Sequence, residues 1–157
     1  MKKKNIIILI ILIILVEQLM KFCIFNTIKI GNSINFIGTI IRLTNVKNTG
    51  GAFSIGKNDT NLIILVNSVI IIIFLIYFLK NYNKIKNVIK IAITLIMAGG
   101  ISNLIDRIKF GYVIDYIDIN NLIKYPIFNV EDILIVIGII LMIICILRES
   151  IKKQENE

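Results

Sequence analysis

Asp115 and Asp132 are the residues of this 157-residue chain best suited to do chemistry. The sequence holds ten acidic residues and no histidine. Without His, no Ser-His or Cys-His nucleophile can be assembled. The common His-containing zinc sites are excluded as well, and there is no P-loop or dinucleotide fingerprint. Carboxylates, amides and a few Ser and Lys remain. Asp115 stands in "GYVIDYID", flanked by Val, Ile and Tyr with no cation beside it. Asp132 stands in "FNVEDILIVIG", just after Pro126 and at the start of an apolar run. Two carboxylates brought close together do not both ionise cheaply, so they share a proton. One then acts as general base toward water and the other as general acid. That is the chemistry of an aspartic peptidase, and its titration belongs to the pair. Asp132 also has a structural reading, as the N3 carboxylate of a helix capped by Asn129.

The elements that must bring these residues together are membrane spans. The chain is 57% hydrophobic with mean hydropathy +0.86, above the soluble norm. Apolar runs at about 5–25, 61–79, 91–108 and 130–147 each approach the ~20 residues that cross ~30 Å of hydrocarbon. The expected fold class is mainly α: a polytopic membrane protein, one embedded domain over 1–157, with four transmembrane helices. The first run has the basic start of a signal peptide. No small-x-small cleavage site follows it, however, and the apolar character resumes after Lys21. The net charge of +8 reads as membrane anchoring rather than nucleic-acid binding, because the cations cluster at Lys2–Lys4, Lys80–Lys90 and Arg148–Lys153, at the ends of the runs. The positive-inside rule then places both termini in the cytoplasm. The connections at about 27–60 and 109–128 face outward, and Asp115 and Asp132 meet at the outer face. "INFIGTIIRLTNVKN" predicts short strands, giving a small extracytoplasmic sheet. Cys23 and Cys145 lie in apolar runs without metal spacing and read as small buried hydrophobes.

Ionisable groups at membrane depth are costly and therefore informative. Glu17 and Lys21, four apart, are expected to pair on one helix face. Gly99, Asn103 and Arg107 share a face of the third span, where Gly permits close helix approach. Asp106 is expected to pair with a nearby cation. In "NTGGAF", small residues let backbone approach a ligand, and Asn48 can bind a peptide carbonyl.

Taken in order between four spans, "NTGGAFSIG", "GGISNLIDRIKFGYVIDYID" and "FNVEDILIVIG" closely resemble the lipoprotein signal peptidase (signal peptidase II) family. The resemblance runs from roughly Glu17 to Gly138. It implies a bacterial inner- or plasma-membrane aspartic endopeptidase that needs no cofactor. Such an enzyme removes the signal peptide from diacylglyceryl-modified prolipoproteins by cutting before the lipidated Cys. The resemblance places the catalytic pair at Asp115 and Asp132, and substrate-binding or supporting roles at Asn48, Gly50, Asn103, Arg107, Asn129 and Lys21. The implied partners are prolipoproteins and membrane lipids, without nucleic acid, and a monomer is expected. The chain departs from the family pattern at Glu17, where Asp is usual, and at Gly51, where Ala is frequent.

Two rival readings are a small proton-coupled transporter and a non-enzymatic membrane adaptor. Intramembrane acids also mark proton relays, but here they gather at one face and no inverted repeat is visible. A presenilin-like protease is excluded because its GxGD motif is missing.

Overall fold

The computed structural model describes residues 2–50 and 59–154. Four helices carry the apolar runs: α1 (Lys3–Thr27), α2 (Thr60–Asn81), α3 (Asn87–Phe110) and α4 (Val130–Gln154). All four are long and apolar enough to cross a membrane. Each extends past its apolar run, α4 furthest, so that Arg148–Gln154 continues the helix beyond the span.

The third helix is the hub. It packs against α1, α2 and α4, and 61% of its apolar window is buried against 11–17% in the other three. Its composition explains this, since α3 carries the small residues Ala92, Ala98, Gly99, Gly100 and Ser102 while the outer helices present Ile, Leu and Phe to lipid. The α3–α4 contact is closest at two glycines. A Cβ on Gly99 would sit 2.7 Å from the Glu131 carbonyl oxygen, and one on Gly138 would sit 2.7 Å from that of Ala92. Gly is therefore required at both positions. At its outer end α3 stops at Gly111, in the left-handed conformation (φ 77°), whose N–H returns to the Arg107 carbonyl at 3.0 Å. This cap turns the chain straight into a strand.

The expected sheet is present with one difference. Strands β1 (Ser33–Ile37) and β2 (Ile41–Asn48) come from the first connection. The third strand, β3 (Val113–Asp118), comes from the second, and the order is β1-β2-β3, antiparallel. Asp115 is thus a strand residue opposite Val46. Ile114 and Tyr116 pack with Ile24 and Ile28 at the end of α1. The alternate residues Val113 and Asp115 face a cavity.

Two sequence expectations are corrected. Cys145 is buried but Cys23 is exposed, because it lies on the outward side of a peripheral helix. Glu17 and Lys21 do not pair. Glu17 accepts the Tyr116 hydroxyl, at 2.9 and 3.1 Å to its two oxygens. Lys21 binds Asp106 at 2.5 Å and also Glu131. The four-residue spacing puts both side chains on one face of α1, but tertiary partners win each of them.

Candidate active site

The first turn of α4 builds the site. Asn129 precedes the helix, and its Oδ1 accepts the Asp132 N–H at 2.9 Å. Asp132 returns the bond, its Oδ2 accepting the Asn129 N–H at 3.2 Å. This is a reciprocal capping box built from Asn and Asp. The cap occupies one end of each side chain and leaves the other end free. The free Nδ2 of Asn129 donates to Asp115 Oδ1 at 2.8 Å. The free Oδ1 of Asp132 accepts from Asn103 Nδ2 at 3.2 Å. The capping and functional readings of these residues therefore describe one arrangement.

Asp115 is held from its other side by Asn48, whose Nδ2 donates to Oδ2 at 2.7 Å. Asn48 is itself fixed in a turn, its Oδ1 accepting the Gly50 N–H at 2.9 Å. Arg107 reaches across from α3 and donates to the Gly50 carbonyl at 2.8 Å, which pins the end of β2 against α3. Of the "NTGGAF" motif, Gly51, Ala52 and Phe53 lie outside the described residues.

Seven of the eight residues singled out from the sequence, Asn48, Gly50, Asn103, Arg107, Asp115, Asn129 and Asp132, line one cavity of about 610 Å³. Lys21 does not line it. It lies one layer behind, with its Nζ 3.5 Å from Asn103 Oδ1. That contact orients the Asn103 amide so that its nitrogen faces Asp132. Asp115 is 3% exposed. Burial and then the nearby Asp132 charge raise its pKa from 3.8 to about 6, against the opposing donors Asn48 and Asn129. A carboxyl so placed keeps a proton to higher pH than a surface acid does.

Asp118 gives the contrast. Burial alone would disfavour its ionised form. Donors from the Asn120 backbone and side chain, Arg42 and Thr44 outweigh that and hold it at about 2. Its bond to Arg42 (2.5 Å) ties β2 to β3 away from the cavity. Asp118 is thus held ionised by its donors, while Asp115 keeps a proton to higher pH.

The profile of the family described as Signal peptidase (SPase) II matches residues 9–148. The chain belongs to the signal peptidase II family. A lipoprotein signal peptidase of Staphylococcus aureus (strain bovine RF122 / ET3-1) is 34% identical over 152 residues, 96% of this chain and 93% of that protein. One of Streptococcus pyogenes serotype M5 (strain Manfredo) is 38% identical over 150 residues, covering 96% and 97%. Two solved bacterial membrane enzyme structures, each 32% identical, superpose with TM-scores of 0.88 and 0.82. The first covers 99% of this chain and 94% of the other, the second 92% and 94%. Membership and the four apolar helices make this signal peptidase II family member a bacterial multi-pass membrane protein.

Several residues around the site were not anticipated from the sequence of this family member. Glu131 is fully buried and shares Lys21 with Asp106. Gln18 donates to Asp106 at 2.7 Å and to Ser102 at 3.1 Å. Tyr116 is the partner of Glu17; burial and that carboxylate push its phenol above the ordinary value, so it stays a donor. Asn67 of α2 lines the cavity. The usable signal was a polar residue inside an apolar run, which marks Gln18 and Asn67. Glu131 was masked by its neighbour Asp132.

Proposed function

We propose that this chain is an aspartic endopeptidase of the bacterial cell membrane that releases signal peptides from diacylglyceryl-modified prolipoproteins, with Asp115 and Asp132 as its catalytic pair. One observation carries the reading: Asn129 hydrogen-bonds both carboxylates, one from β3 and one from α4, at the wall of a single cavity. Family membership supplies the reaction class.

In the proposed mechanism the pair carries one proton and holds a water between its two carboxyl groups. The ionised member takes a proton from that water as its oxygen attacks the scissile carbonyl. The protonated member gives its proton to the carbonyl oxygen, so the product is a tetrahedral gem-diol with no covalent bond to the protein. The member that took the water proton then gives it to the leaving nitrogen while the other takes a proton back from the gem-diol, the C–N bond breaks, and the signal peptide departs with a new carboxyl terminus. The lipidated Cys keeps the new amine. Asn48, Asn103 and Asn129 hold the two acids in place, and Arg107 with Gly50 fixes the turn beside which the substrate backbone lies. The acyl chains lie in lipid against the outer helices, giving binding energy remote from the broken bond that is used for positioning. The basic clusters set both termini in the cytoplasm and the cavity at the outer face.

The test is cleavage by the purified protein of a diacylated prolipoprotein and its unmodified form, read by gel shift and product mass. Cutting before the modified Cys, on the diacylated form alone, is expected. No cleavage of the diacylated form, or cleavage elsewhere, contradicts the reading.

A further inference from the structure

At the end of the bundle opposite the cavity, two ammonium groups converge on one aromatic ring. Lys90 Nζ of α3 lies 4.3 Å from the Tyr82 ring centroid, and Lys3 Nζ of α1 lies 4.8 Å from it. Tyr82 follows α2 and is held edge-on by Phe78, with centroids 5.4 Å apart. Three of the four helices thus meet at this point. Lys90 is only 9% exposed.

Two ammonium groups brought to one ring repel each other unless an anion lies between them. Lys21, buried in the same bundle, takes two carboxylates. Neither Lys90 nor Lys3 has a carboxylate within ion-pair distance among the described residues. Glu149 is the described carboxylate at this end, and it is engaged by Lys86 at 2.7 Å. The ring attracts each cation only weakly and does nothing to relieve the repulsion between them. Ten of the chain's 18 Lys and Arg fall at this end, within residues 2–4, 80–90 and 148–153. An anion completes such a site, and its flanks say which kind. Ile7 and Ile11, one and two turns along α1 from Lys3, are exposed, offering an apolar wall to acyl chains below a headgroup.

We propose that Lys3, Lys90 and Tyr82 form a binding site for the phosphate of an anionic phospholipid, placed to hold one lipid at the α1–α2–α3 junction. The phosphate lies between the two ammonium groups, and the chains run down the exposed face of α1. The site is independent of the peptidase reading.

The test is native mass spectrometry of the detergent-purified full chain titrated with phosphatidylglycerol or with phosphatidylcholine of the same acyl chains. Phosphatidylglycerol should bind tighter by about tenfold or more. The Lys3→Met/Lys90→Met double variant should lose that preference. Lys80→Met/Lys84→Met, which removes the same charge from exposed positions at the same end, should stay within about twofold of the parent. Equal binding of both lipids by the parent overturns the proposal, as does an unchanged preference in the first double variant or an equal loss in the second. Displacement of phosphatidylglycerol by excess inorganic phosphate would assign the site to a free anion and overturn the lipid reading. If Lys3→Met/Lys90→Met does not fold, Lys3→Met at its exposed position decides. A loss of about threefold or more supports the site, and a smaller change overturns it.

Discussion

Asp115 carries a cost that its neighbours only partly offset. Its pKa in the folded protein, about 6, lies above the ordinary 3.8. A raised carboxyl favours folding while protonated, fully so below the unfolded value, and that contribution is lost as pH rises through about 6. Asp115→Asn removes the ionisation and its penalty. The variant should therefore gain stability over the parent at pH 8 by up to ~3 kcal/mol, with a smaller gain at pH 5. Thermal unfolding in detergent at both pH values measures this, and a variant less stable at pH 8 than at pH 5, each relative to the parent, contradicts it. At this scale the sequence was informative about the acids because Asp115 and Asp132 stand where apolar neighbours make a charge expensive. It misled about Glu17 and Lys21. Helical spacing shows which side chains share a face, but not that Tyr116 and Asp106, 99 and 85 residues away along the chain, will compete for them.

Elements set the precision of the site. Asn129 serves the α4 cap through Oδ1 and N–H, and serves Asp115 through Nδ2. Asn129→Ser separates the two roles, because Ser caps a helix nearly as well as Asn but has no amide to reach Asp115. Stability should change by no more than ~1 kcal/mol, while turnover falls about a hundredfold or more, given the cost of misplaced catalytic groups. Parallel melting and cleavage assays check this, and near-parental turnover would contradict it. Gly99→Ala tests the helix contact. Its Cβ would meet the Glu131 carbonyl and Ile135, pushing the first turn of α4 and Asp132 away from Asn103. A loss of ~1–3 kcal/mol from overpacking should accompany a lower kcat, and parental stability together with parental kcat would contradict it. Strand β3 was not legible beforehand. Most of its residues are buried on both faces, so the alternation that reveals a half-exposed strand is missing. The hairpin β1–β2 was legible from its β-branched runs and turn residues.

The whole molecule was the most legible scale. Four long apolar runs separated by polar connections leave few folds open once a bilayer must be crossed, and the comparison structures share the arrangement over nearly the full chain. What could not be read was the central place of α3. That depends on glycines meeting a neighbour's carbonyls, a tertiary fact with only a weak trace in sequence. The same architecture explains why acids so far apart in sequence converge. One sits on the strand entered directly from the Gly111 cap of α3, the other on the opening turn of the helix packed against α3. The central claim is that these two carboxylates act as one unit, so each should be useless without its partner. The most direct measurement is kcat on a diacylated prolipoprotein for Asp115→Asn, Asp132→Asn and the double variant, all verified as folded. Each single variant should lose turnover as completely as the double does. Either single variant retaining more than about a tenth of parental turnover, or losses that multiply in the double, would contradict a shared-proton pair.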